Sequence, residues 1–139
     1  MVSGDRYASR VNLRVTGIGK ACAIALAEAG ADLIIISRTK NDLDKVQNII
    51  RKLHKKCIAI VGDVSNHLEV KELFRQIKKL DILVNNAGTN RPEHFAKVKK
   101  QDMDYVVDLN IKAAFNIAQS AVKIMLSSKQ RKYLGGSII

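Results

Sequence analysis

The sequence predicts an α/β fold built on a doubly wound parallel sheet, and three observations carry that prediction. Apolar runs of strand length alternate with longer segments of helical period along the chain. The second run, Asp32-Leu33-Ile34-Ile35-Ile36-Ser37, is nearly continuous in apolar residues, as a strand covered on both faces must be. Every connection between runs has helical patterning, so the order βαβαβαβα implies parallel strands with right-handed crossovers.

Taken in order, Val11, Leu13 and Val15 suggest a short first strand. Ile18 to Ala29 reads as a helix that is small and apolar on one face, and Asp32 to Ser37 is the second strand. Asn41 is placed to cap a helix from Asp42 to about His54, with Leu43, Val46, Ile49, Ile50 and Leu53 inward. Cys57 to Val61 forms the third strand and ends at Gly62-Asp63. Leu68 to Lys79 makes the third helix, with Leu68, Leu73 and Ile77 as inward candidates. Ile82-Leu83-Val84 is the fourth strand and runs into Asn85-Asn86-Ala87-Gly88. A loop holding the only proline, Pro92, leads to a long helical stretch, 101–129. Met103, Tyr105, Val106 and Leu109 belong to its amphipathic face, and Val107, Phe115 and Ile124 are assigned to core or interface. The chain ends Gly135-Gly136-Ser137-Ile138-Ile139, a turn and the start of an apolar strand.

The composition bounds the function. A chain of 139 residues with 47% apolar and 27% charged residues is neither disordered nor collagen-like. It has no repeat and no Pro/Gly/Ser linker, so 1–139 is expected to be a single domain. No apolar run approaches the roughly 18 residues of a membrane span, and the stretch from Met1 to Arg14 is too polar for a signal peptide. A soluble, cytoplasmic protein is expected. Cys22 and Cys57 lie far apart among apolar neighbours, which suits free thiols rather than a disulfide framework or a zinc site. His54, His67 and His94 lack metal-ligand spacing, so no metal is expected.

The net charge of +11 raises a nucleic-acid reading. The basic clusters are Arg51-Lys52-Leu53-His54-Lys55-Lys56, Lys97-Val98-Lys99-Lys100 and Lys129-Gln130-Arg131-Lys132. None interleaves aromatic residues for base stacking, and the first and third fall near helix C-termini, where basic side chains complement the dipole. They are assigned to solvated helix ends.

Doubly wound sheets bind ligands at the carboxyl ends of their strands. The first strand-to-helix turn reads Val15-Thr16-Gly17-Ile18-Gly19-Lys20. Glycines there let a backbone approach a pyrophosphate seated on the helix N-terminus, although two glycines alone serve a plain structural turn equally well. Further along come Asp63-Val64, then Asp81-Ile82-Leu83-Val84-Asn85-Asn86-Ala87-Gly88, then Asp108-Leu109-Asn110. In this order and spacing they resemble the short-chain dehydrogenase/reductase family of classical type, over about Thr16 to Ile139. The resemblance implies a Rossmann-like fold and hydride transfer between a nicotinamide dinucleotide and a ketone or secondary alcohol.

By that resemblance, Gly17 and Gly19 line the pyrophosphate, with Thr16 and Ile18 among the cofactor-binding residues of the same turn. Asp63 bonds the adenine amino group, Val64 packs beside the ring, and Asn85, Ala87 and Gly88 border the nicotinamide ribose. An ionised carboxylate accepts only, which suits an exocyclic amine. At the end of the second strand, Ser37-Arg38-Thr39 carries no carboxylate to bind a ribose 2′-hydroxyl. Arg38 offers a planar fork for a 2′-phosphate, so NADP(H) is favoured over NAD(H). The long helix, 101–129, is expected to pair with its twin in a homo-oligomer, as it commonly does in the family.

The sequence departs from the family in two places. The family turn is TGxxxGxG, whereas Thr16-Gly17-Ile18-Gly19 has three spacers and one glycine fewer if Thr16 is the motif's threonine. A local deletion and a full-length stretch of altered residues both account for this, and Arg10, Asn12 and Arg14 alternating through a central strand favour the second. The family's catalytic Tyr-x-x-x-Lys is also missing, because Tyr7, Tyr105 and Tyr133 are followed four positions on by Val11, Leu109 and Ser137. Of the family's catalytic Asn, Ser, Tyr and Lys, only Asn110 has a match, and the resemblance implies that it kinks the helix and holds a water relaying to the Lys. Family domains run to roughly 250 residues, so a truncated chain, incomplete at the C-terminal side of the sheet, is expected, with an exposed sheet edge, weak stability and self-association. Three functions follow in order. The first is the N-terminal part of such an oxidoreductase, with little turnover alone. The second is a non-catalytic nucleotide-binding or interaction module. The third is a basic nucleic-acid binder.

Overall fold

The computed structural model describes residues 9–127 and 136–139, without the side chains of residues 9, 10, 12 and 13. Its strands are β1 (Ser9–Leu13), β2 (Asp32–Ser37), β3 (Cys57–Val61), β4 (Ile82–Val84) and β5 (Ser137–Ile138). They form one parallel sheet of five strands in the order β3-β2-β1-β4-β5. The helices are α1 (Ile18–Glu28), α2 (Lys40–Lys52), α3 (His67–Arg75), α4 (Lys100–Val107) and α5 (Ala114–Ser127). A 3₁₀ turn (Phe95–Lys97) precedes α4, and a π-helical segment (Asp108–Ala113) joins α4 to α5.

The two-residue period of β2 explains why helices cover both faces. Leu33 and Ile35 join Ala23, Ala27, Leu43, Val46 and Ile50 of α1 and α2 on one side. Ile34 and Ile36 meet Val70, Leu73, Phe74, Ile117 and Ala121 of α3 and α5 on the other. The chain builds outward from β1 to β3, then returns to place β4 against β1. That reversal leaves a crevice between the carboxyl ends of β1 and β4, the place where this architecture takes ligands.

Several boundaries differ from expectation. Val15 is not in β1, yet it is fully buried beneath α1 and α2. Asn41 does not cap α2, because the helix begins two residues earlier, at Lys40, and Thr39 holds the cap position without a side-chain bond. Asn66 caps α3 instead, its side chain accepting from the N–H groups of Leu68 and Glu69. Leu68 is 71% exposed, since it falls in the first turn on the outer side, whereas Leu73 and Ile77 are buried. α3 stops at Arg75, short of Lys79, and Ile77 is buried from the connection that follows. The long helical stretch is not uniform α-helix: it spans 100–127 and changes to π geometry in the middle. Met103 and Phe115 face outward, Leu109 is buried, Val107 is half-buried and Ile124 packs at the core's margin. The end of the predicted helix, the basic cluster 129–132 and Tyr133 lie outside the described residues, as do Tyr7, the N-terminal stretch 1–8 and the side chains of Arg10 and Asn12.

β5 pairs only with β4 among the described residues, and Ile138 within it and Ile139 after it are exposed. No helix among the described residues is long and apolar enough to cross a membrane.

Candidate nucleotide crevice

The first turn carries the geometry of the crevice. β1 ends at Leu13 and α1 begins at Ile18, so 14–17 make the connection. Counting back through TGxxxGxG from Gly19 and Gly17, the three spacers are Arg14, Val15 and Thr16. Leu13 then stands in the first glycine's place and Asn12 in the threonine's. The turn therefore has full length with altered residues, and the deletion is not needed.

Its path is tight. Arg14 takes a left-handed backbone, φ 58°, while its N–H donates to the Ile36 carbonyl at 2.9 Å. The carbonyl of Arg14 lies so close to α1 that an added Cβ on Gly19 would meet it at 1.8 Å. Gly17 sits at the N-cap of α1 with φ 53° and has no side chain to cap it, and Gly17 and Ile18 line the open space beside the turn.

A solvent-open cavity of about 520 Å³ lies over the strand ends. β2 contributes Ile36 and Ser37 and the following Arg38, while the segment after β3 contributes Gly62, Asp63, Val64 and Ser65. Ala87, Gly88 and Thr89 after β4 close the third side, with Tyr105 and Leu109 from the α4 side and Arg14 from the first turn. A second open space of about 900 Å³ adjoins it, lined by Arg14, Thr16, Gly17, Ile18, Asn86, Gly88, Thr89 and Asn90. The structure thus brings together all the sequence-selected residues except three.

Those three lie nearby but not on the lining. Gly19 is buried behind the turn, where it permits the close approach just described. Asn85 donates from Nδ2 to the Ala114 carbonyl at 2.9 Å, and its Oδ1 is buried with no partner among the described residues. Asn110, in the π segment, works on the crevice wall: Oδ1 accepts from the Thr89 N–H at 2.8 Å and Nδ2 donates to the Thr89 carbonyl at 2.9 Å. Two bonds to the backbone of one residue, on its two adjoining peptide groups, hold the loop after β4 in place. Arg91 adds a second tether, pairing with Asp102 at 2.8 Å and lying 4.7 Å over the Tyr105 ring.

The residues present fit a dinucleotide at the nucleoside end. Asp63 Oδ1 accepts from the N–H and hydroxyl of Ser65, at 2.9 and 2.7 Å. Its other oxygen has no partner among the described residues, which leaves an acceptor for an amine. Gly88 permits backbone close to a ligand, and among the described residues Asp63 is the only acidic one lining the 520 Å³ cavity, against Arg14 and Arg38. The balance there is positive and suits an anion. Arg14, Ser65, Thr89 and Tyr105 are lining residues that sequence reasoning missed. A basic residue three places before a glycine of the turn was the available signal for Arg14.

Comparison with known proteins agrees with this architecture. The family model described as short chain dehydrogenase matches residues 14–139. The 3-oxoacyl-[acyl-carrier-protein] reductase FabG of Thermotoga maritima is 34% identical over 128 residues, covering 89% of this chain and 50% of the relative. The 2-dehydro-3-deoxy-D-gluconate 5-dehydrogenase of Dickeya dadantii is 33% identical, covering 89% and 48%. Among solved structures, a short-chain type dehydrogenase/reductase from Mycobacterium marinum superposes with a TM-score of 0.86 at 29% identity, covering 94% of this chain and 53% of that one. The NADPH-dependent reductase YwfH of bacilysin biosynthesis gives 0.81 at 26%, covering 87% and 50%. The chain spans about half the length of the relatives it matches.

Proposed function

Because this chain belongs to the short-chain dehydrogenase family, we propose that it is the nucleotide-binding half of an oxidoreductase acting on a ketone or secondary alcohol. Residues 1–139 are then one partial dinucleotide-binding domain. The observation that carries this reading is the convergence of Arg38, Asp63 and Gly88, from three strand ends, on one crevice. When bound, the nicotinamide supplies or accepts the hydride. Asp63 accepts from the adenine amine, Val64 flanks the base, and Ala87 and Gly88 let the backbone lie against the ribose. Asn110 fixes the Thr89 backbone beside that ribose, as a positioning residue.

Arg38 gives the preference for NADP(H), since no carboxylate stands at the end of β2 and the guanidinium lines the cavity. YwfH, an NADPH-dependent reductase by its description, is consistent with that choice. The chain contains no Tyr-x-x-x-Lys, so proton transfer to the carbonyl has no group here to perform it. Binding without turnover, the behaviour of a nucleotide-binding module, is therefore expected of the chain by itself. The exposed Ile111, Phe115, Val122 and Leu126 form one outward row along the helical stretch and support pairing with a second copy. A soluble, cytoplasmic setting completes the reading.

Calorimetric titration of the purified chain tests it. NADPH is expected to bind in the micromolar range and more tightly than NADH, with Arg38→Ala narrowing the difference. A folded chain that binds neither nucleotide refutes the function, and a ketone-dependent NADPH oxidation by the chain alone refutes the absence of turnover.

A further inference from the structure

We propose that Arg14 is a phosphate-binding residue of the crevice, its guanidinium receiving the diphosphate that this fold otherwise leaves to backbone N–H groups and a helix N-terminus. The inference rests on the nucleotide reading above and adds a side chain to the backbone groups of the turn.

Position comes first. Arg14 lines both open spaces: the one beside Arg38 and Asp63, and the one beside Thr16, Gly17 and Asn86. A ligand that reaches from the nucleoside end to the N-terminus of α1 must pass this side chain. The diphosphate is the part of a dinucleotide that lies between those ends.

Chemistry agrees. The guanidinium carries five N–H donors, and one nitrogen donates across the crevice to the Gly88 carbonyl. No carboxylate among the described residues pairs with it. A neutral carbonyl is a weaker partner for a cation than a phosphate oxygen, so an arriving diphosphate gains a charge-assisted bond without breaking an ion pair. The N-terminus of α1 adds its own positive end from the same side, where Gly17 and Ile18 line the open space.

The backbone points the same way. Arg14 and His54 are the two non-glycine residues with positive φ among those described. His54 closes the end of α2, its N–H donating to the Arg51 carbonyl at 2.9 Å, an ordinary use of this conformation. Arg14 has no helix to end. Its conformation is held by the bond from its N–H to Ile36, and by Asn86 donating to its carbonyl at 3.5 Å. Strain kept at one crevice residue, with its guanidinium delivered into the open space, is the pattern of a pre-organised contact.

The alternative role for the same side chain is a plug that competes with the nucleotide, and titration separates the two. The purified chain, with Arg14→Gln and Arg14→Lys, is titrated with adenosine, ADP and NADPH, and a cooperative thermal transition is recorded for each. The expected result is that Arg14→Gln weakens ADP and NADPH about tenfold or more, the value of one charge-assisted bond, and changes adenosine by less than about twofold. Arg14→Lys falls between, and the slope of affinity against salt drops by about one in Arg14→Gln. Equal or tighter ADP binding by folded Arg14→Gln, with the wild type binding ADP, overturns the proposal alone. A folded wild type that binds none of the three overturns the nucleotide reading and this proposal together.

Discussion

Gly19→Ala puts a methyl group where the turn has no room. The ideal Cβ lies 1.8 Å from the Arg14 carbonyl oxygen, 2.7 Å from Asn86 Nδ2 and 3.0 Å from the Arg14 carbonyl carbon. An ordinary carbon–oxygen contact is about 3.3 Å or more, so the turn must retreat by about 1.5 Å. Backbone cannot yield as a flexible side chain does, and the Arg14 N–H bond to Ile36 resists the movement. Overpacking of a tight site costs roughly 1–3 kcal/mol and occasionally more, and contact with backbone places this substitution at about 3 kcal/mol. Gly17→Ala meets nothing within 4 Å, but φ 53° with ψ −124° lies outside the left-handed helical well and costs a side chain about 1–3 kcal/mol through the backbone alone. In urea, with an m-value of roughly 1.5 kcal/mol per M, Gly19→Ala is expected to lower the midpoint by about 2 M. A Gly19→Ala midpoint at the wild-type value would show that the turn does not press against α1.

Ile117→Ala, in a fully buried position between α5 and the sheet, should cost about 2–5 kcal/mol in chemical unfolding. Phe115→Ala, 65% exposed on the same helix, should change stability by no more than about 0.5 kcal/mol, while shifting sedimentation toward monomer if the outward row binds a second copy. Asn110→Ala removes both bonds to Thr89, so the Thr89 amide should exchange about tenfold faster with deuterium, with little change at Val70 or Ile117. Burial pushes the Cys57 thiol from 9.0 to about 11, with the Arg51 charge opposing. Thiol reagents at pH 8 should therefore label Cys22 and spare Cys57 until the chain unfolds. The same raised value means that Cys57's contribution to stability is complete below pH 9 and is lost as pH rises toward about 11. A Cys57→Ser chain with the same alkaline fall in stability would contradict that assignment.

The alternating and continuous apolar runs made the four main strands and their parallel order legible, because a strand covered on both faces leaves few other patterns. The crevice was legible wherever a strand end carried a chemically distinctive residue, as at Arg38, Asp63 and Gly88. Arg14 was not. As one of several arginines alternating through a short apolar segment, it looked like damage to a strand, and only the backbone reversal after Leu13 carries it into the crevice. Val15 misled for a related reason, since burial under a turn and burial in a strand leave the same apolar letter. Capping misled at Asn41 and not at Asn66, because a capping residue shows its use only once the first helical turn is placed.

The buried row Leu109, Ala113, Ile117, Ala121, Met125 advances by four residues at each step. In a regular α-helix each such step overshoots a full revolution by about 40°, so the row winds away from a fixed partner as it lengthens. The wider π winding between Asp108 and Ala113 takes up part of that phase error at the row's first step. It acts as a vernier, letting one end of the row address the strand ends and the other address α3. Because a π turn holds about one residue more than an α turn, deleting Ile111 would let the segment close to ordinary winding with Ile117 and Ala121 still toward the sheet, whereas a deletion within α5 would rotate everything beyond it by about 100°.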